Sequence, residues 1–446
     1  MVKKLIVAKF GGTSVADFNT MSRSADLIVN NSSIRLIVLS ASANITNILV
    51  SLSAVNSSKV YRSSLINKIR DIQTSIINKL ISPNYLYKLI NDMIKTIETL
   101  SENASYLNSK ELKDEILSYG ELMSSLIFVE ILREKKVNVD WFDVRNVMKT
   151  NDHFGCAQPD INIISRKVKT YLEPLITQKV LVTQGFIGQE GQGRTTTLGR
   201  GGSDYTAALL GEALKATGVE IWTDVPGIYT TDPHLIPTAK RIDQITFKEA
   251  AEMATFGAKI LHPSTLLPAE RSDIPVFVSS SQNPKAGGTY ISNNTKNIPL
   301  LRALSLRRKQ ILLTLNILDY YNQSKILSSV FNKLLYYDIP VGIITSTKSN
   351  ISLTINDNEQ VMMIDKLLIE LETFCKVHVE HNLSLIAIIG NNLPKASGIS
   401  NTIFKILKPF SLRLICSGAS DYNIIFVVQS MDADKIIRIL HQNLFE

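Results

Sequence analysis

Two glycine-bearing segments of the chain hold the residue types that handle phosphate and carboxylate groups. The first is Lys9-Phe10-Gly11-Gly12-Thr13-Ser14, which ends an apolar run and opens a helical pattern. Glycines let backbone N–H groups approach a phosphate, a helix N-terminus adds a favourable dipole, and Lys9 adds a mobile positive charge. It is not a P-loop, which needs GKS or GKT after four spacer residues. Taken alone, a Gly-Gly pair is more often a structural turn than a phosphate cradle. The second segment, Gly193 to Tyr205 (GRTTTLGRGGSDY), packs four glycines, four Ser/Thr hydroxyls, two arginines and one aspartate into thirteen residues. Backbone so permissive loses entropy on ordering unless something binds it, and polar loops on rigid scaffolds are the usual home of sites. It reads as a binding loop.

A third segment, Trp222 to Pro233 (WTDVPGIYTTDP), leaves a strand pattern through Pro-Gly and Asp-Pro turns. Its two aromatics and two carboxylates fit a plain turn and a nucleotide contact equally well. Phe256 to Pro263 contributes one more cation, Lys259. His262, beside Pro263 after an apolar run, reads as a structural histidine.

Loops of this kind need rigid elements on either side. KLIVAKF, SVADFNTMSRSADLIVN and IRLIVLSAS give strand, helix, strand at the start of the chain, and βαβ order implies a parallel sheet with helices on its faces. Residues from about 56 to 135 are mostly long amphipathic helix. Further strands are expected at KVLVTQGFIG, VEIWTDV and IPVFVSSS. The turn-rich PKAGGTYISNNTKNIP is expected to end this domain and begin a linker. From about Leu304 the chain repeats itself. Ser328–Ile355 aligns without gaps to Asn401–Val428, with Phe331 on Phe404, an offset of 73 (404 minus 331). Each copy reads helix, strand, polar turn, strand, preceded by another apolar strand. A repeated unit of that form makes a small α+β module, and two modules can pair their sheets.

The length of 446 residues exceeds what one core usually serves, so two or three domains are expected. With 45% hydrophobic and 20% charged residues, the chain is not wholesale disordered. It lacks an apolar run of about 18 residues, which points away from a membrane span. The apolar run after Lys3 and Lys4 is shorter than a signal-peptide core, so a cytoplasmic location is expected. Cys156, Cys375 and Cys416 are far apart and odd in number, and they read as idle thiols without a metal site. The net charge of +8 comes from scattered residues without a nucleic-acid-binding signature, so a nucleic-acid partner is not expected.

The order KFGGTSVA, SASANITN, GELMS, WFDVR, GFIG with GRTTTLGRGGSDYTA, WTDVPGIYTTDP, FGAKILHP resembles the aspartate kinases. The likeness runs essentially from end to end and is nearest the monofunctional, lysine-sensitive class, without a homoserine dehydrogenase portion. It implies an α/β amino-acid-kinase sandwich with a mainly parallel central sheet, then two α+β ACT modules of βαββαβ, ferredoxin-like form. The expected boundaries are 1–292 for the kinase domain, 293–308 for a linker, 309–383 for the first ACT module and 384–446 for the second with a C-terminal helix. The implied reaction moves the γ-phosphoryl group of ATP, with Mg²⁺, to the side chain of L-aspartate, as a first step towards lysine, methionine and threonine. A homodimer through the ACT modules is implied. By the same resemblance, Lys9, Gly11, Gly12 and Thr13 hold ATP phosphates. Thr46, Glu121, Arg200 and Ser203 hold aspartate, and Lys9, Asp204 and Lys259 are the catalytic group. Thr223, Asp224, Tyr229, His234, Lys259 and Ile260 line the nucleotide, although the family often carries arginine where His234 stands.

One region departs from that family. The lysine-sensitive class reads S-x-G-F-L-A and then V-D-L-I-T-T-S-E at its effector site. This chain has Gln323, Lys325, Ile326 and Leu327 in the first stretch, and Val341, Gly342, Thr347 and Lys348 in the second. Gly342 and Lys348 replace the two carboxylates, and Lys325 replaces a turn glycine. Cations without anions repel a dibasic ligand and leave its amines unpaired, so weak or absent feedback by lysine is expected. Two other readings stand beside this one: another kinase of the same fold, acting on glutamate, carbamate or a nucleoside monophosphate, and a non-catalytic amino-acid-binding regulator.

Overall fold

The computed structural model describes residues 4–258, 261, 263–317, 323–357 and 361–446. These form two compact units. The first holds residues 4–228, 241–247 and 261–296, and the second holds 229–240, 248–258 and the described residues from 297 to the end.

The strands up to residue 292 are, in chain order, β1 (Ile6–Phe10), β2 (Ile34–Leu39), β3 (Val139–Trp141), β4 (Val180–Gln184), β5 (Ile187–Gln189), β6 (Thr195–Thr197), β7 (Gly218–Thr223), β8 (Ile228–Tyr229), β9 (Arg241–Ile242), β10 (Gln244–Thr246), β11 (Val276–Ser280) and β12 (Gly288–Ser292). The helices are α1 (Phe18–Val29), α2 (Ile45–Leu52), α3 (Lys59–Ile77), α4 (Asn84–Tyr106), α5 (Lys110–Glu134), α6 (Ile161–Lys167), α7 (Glu173–Ile176), α8 (Gly202–Ala213), α9 (Phe247–Thr255) and α10 (Pro263–Arg271). Eight strands make the main sheet in the order β10-β12-β11-β7-β1-β2-β4-β3. Its neighbours are parallel except β11 with β12. Parallel strands covered on both faces become near-continuous apolar runs, as IVAKF and IRLIVL are here. The Asp17 side chain accepts from Thr20 N–H while the Thr20 hydroxyl accepts from Asp17 N–H, a capping box that starts α1 just after the Gly-Gly turn.

Strand β1 lies between β2 and β7, and the strand order reverses there. In open sheets of this kind ligands bind beyond the carboxyl ends of the strands at such a reversal. The loops after β1, β2, β4 and β7 all leave from that side. The expected linker PKAGGTYISNNTKNIP differs in part: Gly288–Ser292 is β12, inserted between β10 and β11 with Thr289 and Ile291 fully buried. Strand pairing overrides the weak local pattern there.

In the second unit β13 (Leu301–Ile317), α11 (Gln323–Tyr336), β14 (Val341–Ser346), β15 (Asn350–Asn356), α12 (Val361–Leu371) and β16 (Cys375–Gly390) are followed by α13 (Ile399–Leu407), β17 (Leu412–Ser417), β18 (Asn423–Gln429) and α14 (Ser430–Phe445). The sheet order is β14-β15-β13-β16-β18-β17. The two long central strands each serve two cores. Ile311, Leu313 and Leu315 of β13 pack with Val330 and Leu367, whereas Leu304 of the same strand packs with Ile386, Ile403 and Ile437. The stretch expected as a linker, 293–308, therefore turns into strand at Leu301 and feeds the second core. Its apolar spacing is too short to show this in sequence.

The internal repeat is present with one correction. Helix and last strand keep the 73-residue offset: Leu334 and Leu407 are both buried, and β15 and β18 start at Asn350 and Asn423. The middle strands β14 and β17 start 71 residues apart (412 minus 341) and share one burial pattern centred on Ile343 and Leu414. The gapless alignment thus slips by two residues there. The second copy's hairpin turn, 418–422, is two residues longer than 347–349 and begins with Gly418 at φ +94°.

Candidate active site

Lys9, next to last in β1, has its side chain buried, and its Nζ lies 2.5 Å from Asp204 Oδ1 in the first turn of α8. Gly11 N–H donates to Trp222 O, which ties the turn after β1 to the end of β7. A Cβ on Gly12 would lie 3.0 Å from Ala41 O, so the turn fits against the loop after β2 only with glycine or a small shift. Helix α8 starts from Gly201 at φ +73° without a side-chain cap, and its first N–H, that of Gly202, donates to Gly199 O. Such a start suits an anion.

These elements surround a cavity of 410 Å³. It brings together Lys9, Gly12, Thr46, Glu121, Arg200, Ser203 and Asp204 from segments up to about 195 residues apart in sequence (204 minus 9). Arg200 is exposed at the mouth and has no ion pair among the described residues. Glu121, on α5, is 3% exposed. Its Oε1 accepts from Ala41 N–H at 3.1 Å, and its Oε2 is buried without a hydrogen-bond partner among the described residues. Burial raises its carboxyl to about 8, against the smaller downward pull of the Ala41 N–H and the Lys9 charge. The Ser42 hydroxyl, on the cavity wall, is likewise buried and unpartnered among the described residues. A buried carboxylate oxygen and hydroxyl without partners are costly unless a ligand meets them.

The sequence reading did not single out Ser40, Ala41, Ser42, Ala43, Asn44, Asn47 or Phe186 as lining residues. Asn44 and Phe186 both hold φ +69°, a backbone state that side chains rarely adopt and that the sequence does not display. Gly11, Thr13, Thr223 and Asp224 lie at the ends of β1 and β7 but do not line this cavity. Thr13 and Asp224 are exposed, and the Thr223 hydroxyl donates to Asp224 Oδ1. Tyr229 and His234 fall in segment 229–240, which groups with the second unit; His234 is exposed and its N–H donates to Asp232 Oδ1. Lys259, Ile260 and His262 lie outside the described residues.

Residues 4–280 match the amino acid kinase family, and residues 386–444 match an ACT domain. Lysine-sensitive aspartokinase 3 of Escherichia coli (strain K12) is 52% identical over 450 residues, covering 100% of both chains. The chain belongs to the aspartokinases of the amino acid kinase family. Aspartokinase 1, chloroplastic, of Arabidopsis thaliana is 32% identical across 99% of this chain and 80% of that protein. The crystal structure of E. coli aspartokinase III with aspartate and ADP (R-state) superposes with a TM-score of 0.93, covering 99% of this chain and 100% of that one. The structure of the same enzyme with lysine and aspartate (T-state) gives 0.85 over the same shares. The chain is an aspartate kinase with an amino-acid-kinase domain and a C-terminal ACT region.

Among the described residues, three or more metal-ligating side chains never converge, and no helix is long and apolar enough to cross a membrane. Among the described residues the cavity of this aspartokinase is lined by two carboxylates, Asp204 paired with Lys9 and the buried Glu121. That donor set suits a Mg²⁺ ion held chiefly by phosphate oxygens, the usual arrangement for this ion at kinase sites.

In the second unit the effector-region residues are spread apart in environment. Ile326 is buried in the first module's core and Leu327 and Val341 pack against it. Lys325, Gly342, Thr347 and Lys348 are exposed; the side chain of Gln323 lies outside the described set. Thr347 closes the β14–β15 turn through its N–H to Asn350 O. A Cβ on Gly342 would lie 2.6 Å from Thr354 Oγ1, which already accepts from Ile343 N–H.

Proposed function

We propose that this chain phosphorylates the side-chain carboxylate of L-aspartate with Mg²⁺-ATP, giving 4-phospho-L-aspartate and ADP, and does so with little or no restraint by lysine. The observation that carries the first part is one cavity holding a Lys9–Asp204 pair, together with Arg200 and a Glu121 oxygen that have no ion pair or hydrogen-bond partner, respectively, among the described residues. Aspartate has an ammonium and two carboxylates. In the proposal Glu121 faces the ammonium, Arg200 forks onto the α-carboxylate, and Thr46 and Ser203 add hydroxyls. The relative solved with aspartate and ADP supports the substrate pair.

The nucleophile needs no general base, since an aspartate side chain of pKa ~3.9 is ionised at neutral pH. The obstacle is the approach of one anion to another. Positioning and charge stabilisation therefore carry the rate. Lys9 and Lys259 take the charge of the transferring group, Asp204 orients Lys9, and the glycine turn with Gly11, Gly12 and Thr13 cradles the phosphates. The family resemblance assigns Thr223, Asp224, Tyr229, His234, Lys259 and Ile260 to the nucleotide. Mg²⁺ bound to ATP would offset phosphate charge.

Loss of lysine restraint rests on Gly342, Lys325 and Lys348 in place of a carboxylate-bearing pocket. The ACT pair then serves as a dimerisation platform: β14 and β17 are the sheet's edges and expose Ile344 and Ile415. The reading places the enzyme in the cytoplasm, feeding lysine, methionine and threonine formation, with module limits of 1–292, 309–383 and 384–446. Aspartate-dependent ADP formation, run with and without millimolar lysine, tests both parts. Turnover unmoved by lysine is expected. Lysine-suppressed turnover would remove the second part alone, and folded protein without turnover would remove the first.

A further inference from the structure

Helix α5 reaches past Glu121 to a second buried carboxylate, Asp114, which does not line the cavity. Asp114 is fully buried. Its Oδ2 accepts from Thr197 N–H at 2.8 Å and from Gly155 N–H at 2.9 Å, and its Oδ1 accepts from the Thr197 hydroxyl at 2.8 Å. Thr197 ends β6, and the next residues are Leu198, Gly199 and Arg200. Gly155 belongs to the segment that backs Gly199: a Cβ there would lie 3.3 Å from Gly155 O and 3.4 Å from Cys156 Sγ. Ala157 N–H donates to Thr197 O, so the two segments are also joined directly. One side chain thus fastens both the segment that leads into the Arg200 turn and the segment that backs it.

The same helix is registered on the opposite wall. Ala41 N–H donates to Glu121 Oε1, the Ser124 hydroxyl donates to Ser40 O, and a Cβ on Gly120 would lie 2.7 Å from Ala41 Cβ. Asp114 and Glu121 are seven residues apart, close to two turns, so they share a face about 10.5 Å apart along the axis. A single rigid helix therefore sets the separation between the Glu121 carboxylate and the loop that carries Arg200. Closer to its start, Glu111 reaches Arg194 at 3.1 Å and so holds the β5–β6 turn as well.

We infer that Asp114 is a positioning residue for aspartate: it fixes the Arg200 turn against the helix that carries Glu121, and so sets the span between the two groups that grip the substrate's α-carboxylate and ammonium. The inference rests on the proposed roles of Arg200 and Glu121. It concerns aspartate alone, because Asp114 holds neither the turn after β1 nor the end of β7. Asn at this position keeps an oxygen able to accept both N–H groups and an amide that can donate to the Thr197 hydroxyl. Ala removes all three bonds.

The test measures KM for aspartate, KM for ATP, kcat and thermal unfolding for Asp114→Ala, Asp114→Asn, Thr197→Val and Arg200→Ala in the full chain. Asp114→Ala should raise KM for aspartate by ~10- to 100-fold, the scale of a displaced positioning group, with KM for ATP within about twofold. Asp114→Asn should restore most of that loss, and Thr197→Val should show a smaller rise for aspartate only. Equal changes in both KM values, or no rescue by Asn, would overturn the inference and leave a general structural role. Should the Ala variant not fold, Thr197→Val decides: an unchanged KM for aspartate then rejects the inference. Arg200→Ala separates the two levels. An unchanged KM for aspartate in that variant removes the binding roles themselves, whereas a large rise there with a silent Asp114→Ala removes the positioning role only.

Discussion

The catalytic cavity and the turn after β14 both hold charged residues, yet they treat charge in opposite ways. In the cavity Lys9 and Asp204 have side chains only 10% and 13% exposed and meet each other, and Glu121 is enclosed beside them. In the first ACT module Lys325 and Lys348 stand in water. Removing one member of a buried pair strands the other at a cost of several kcal/mol, whereas an exposed charge is worth little either way. Substitution is therefore expensive in the first region and cheap in the second. An exposed charge such as Lys348 can change sign with little penalty to the fold, and the proposed loss of lysine restraint rests on that asymmetry.

The sharpest way to break this contrast is Lys9→Met. It removes the cation near the end of β1 and leaves Asp204 buried without its partner. Turnover should fall by at least ~10²- to 10³-fold, the usual cost of losing one charge-stabilising donor. Thermal unfolding should still be cooperative, with a lower midpoint, because Asp204 is left buried without its partner. Near-normal ADP formation in that variant would refute the assignment of Lys9.

The next effect is set by pH. The Glu121 carboxyl is raised by burial to about 8, above the 4.5 of an unburied glutamate. The folded chain thus keeps the proton between those two values. That stabilisation is full below 4.5 and is lost as pH climbs through 8. Aspartate's ammonium calls for the carboxylate form, so aspartate binding must expel the proton. KM for aspartate should drop by about tenfold per pH unit as pH approaches 8 from below. Glu121→Gln should flatten that dependence, raise KM at pH 8 by ~10- to 100-fold for a lost charged hydrogen bond, and remove the loss of stability at high pH. A wild-type KM that does not move over that range would leave Glu121 ionised, or out of the site.

Legibility in the sequence follows the same division. The parallel sheet, the long helices and the doubled C-terminal module were readable, because β-branched runs such as IVAKF and the helix pattern around Phe331 and Phe404 are local signals. Lys9 and the GRGGSD loop were readable from composition. Three features depend on distant partners and left no local trace. Strand β12 exists because β10 and β11 flank it. Leu301–Leu306 join the second ACT core because β13 runs on into a neighbour's sheet, and the two-residue slip between β14 and β17 hides in their turns. The cavity wall Ser40–Asn44 drew notice only as part of a resemblance, since small residues do not announce a surface that α5 makes concave. Ile326 sat among the effector residues by resemblance alone, and its burial in the first module's core is a feature the resemblance did not show.

The smallest predicted effect lies in the effector turn. Lys348→Glu exchanges one exposed charge for another, so stability should change by no more than ~0.5 kcal/mol. Restoring the second carboxylate is less simple. A Cβ at Gly342 meets Thr354 Oγ1 at 2.6 Å, in a side chain that is fully buried and bonded to Ile343 N–H. Gly342→Asp must push β14 and β15 apart locally, at ~1–3 kcal/mol. The double variant Gly342→Asp, Lys348→Glu should therefore gain a measurable heat of lysine binding where the parent chain gives none, while staying weaker than a pocket built around the aspartate. Calorimetry of the parent and both variants at one temperature reads this directly. Saturable lysine binding by the parent would show that residues other than these two supply the anionic contacts, and the contrast between the two regions would then be one of position, with no difference in charge.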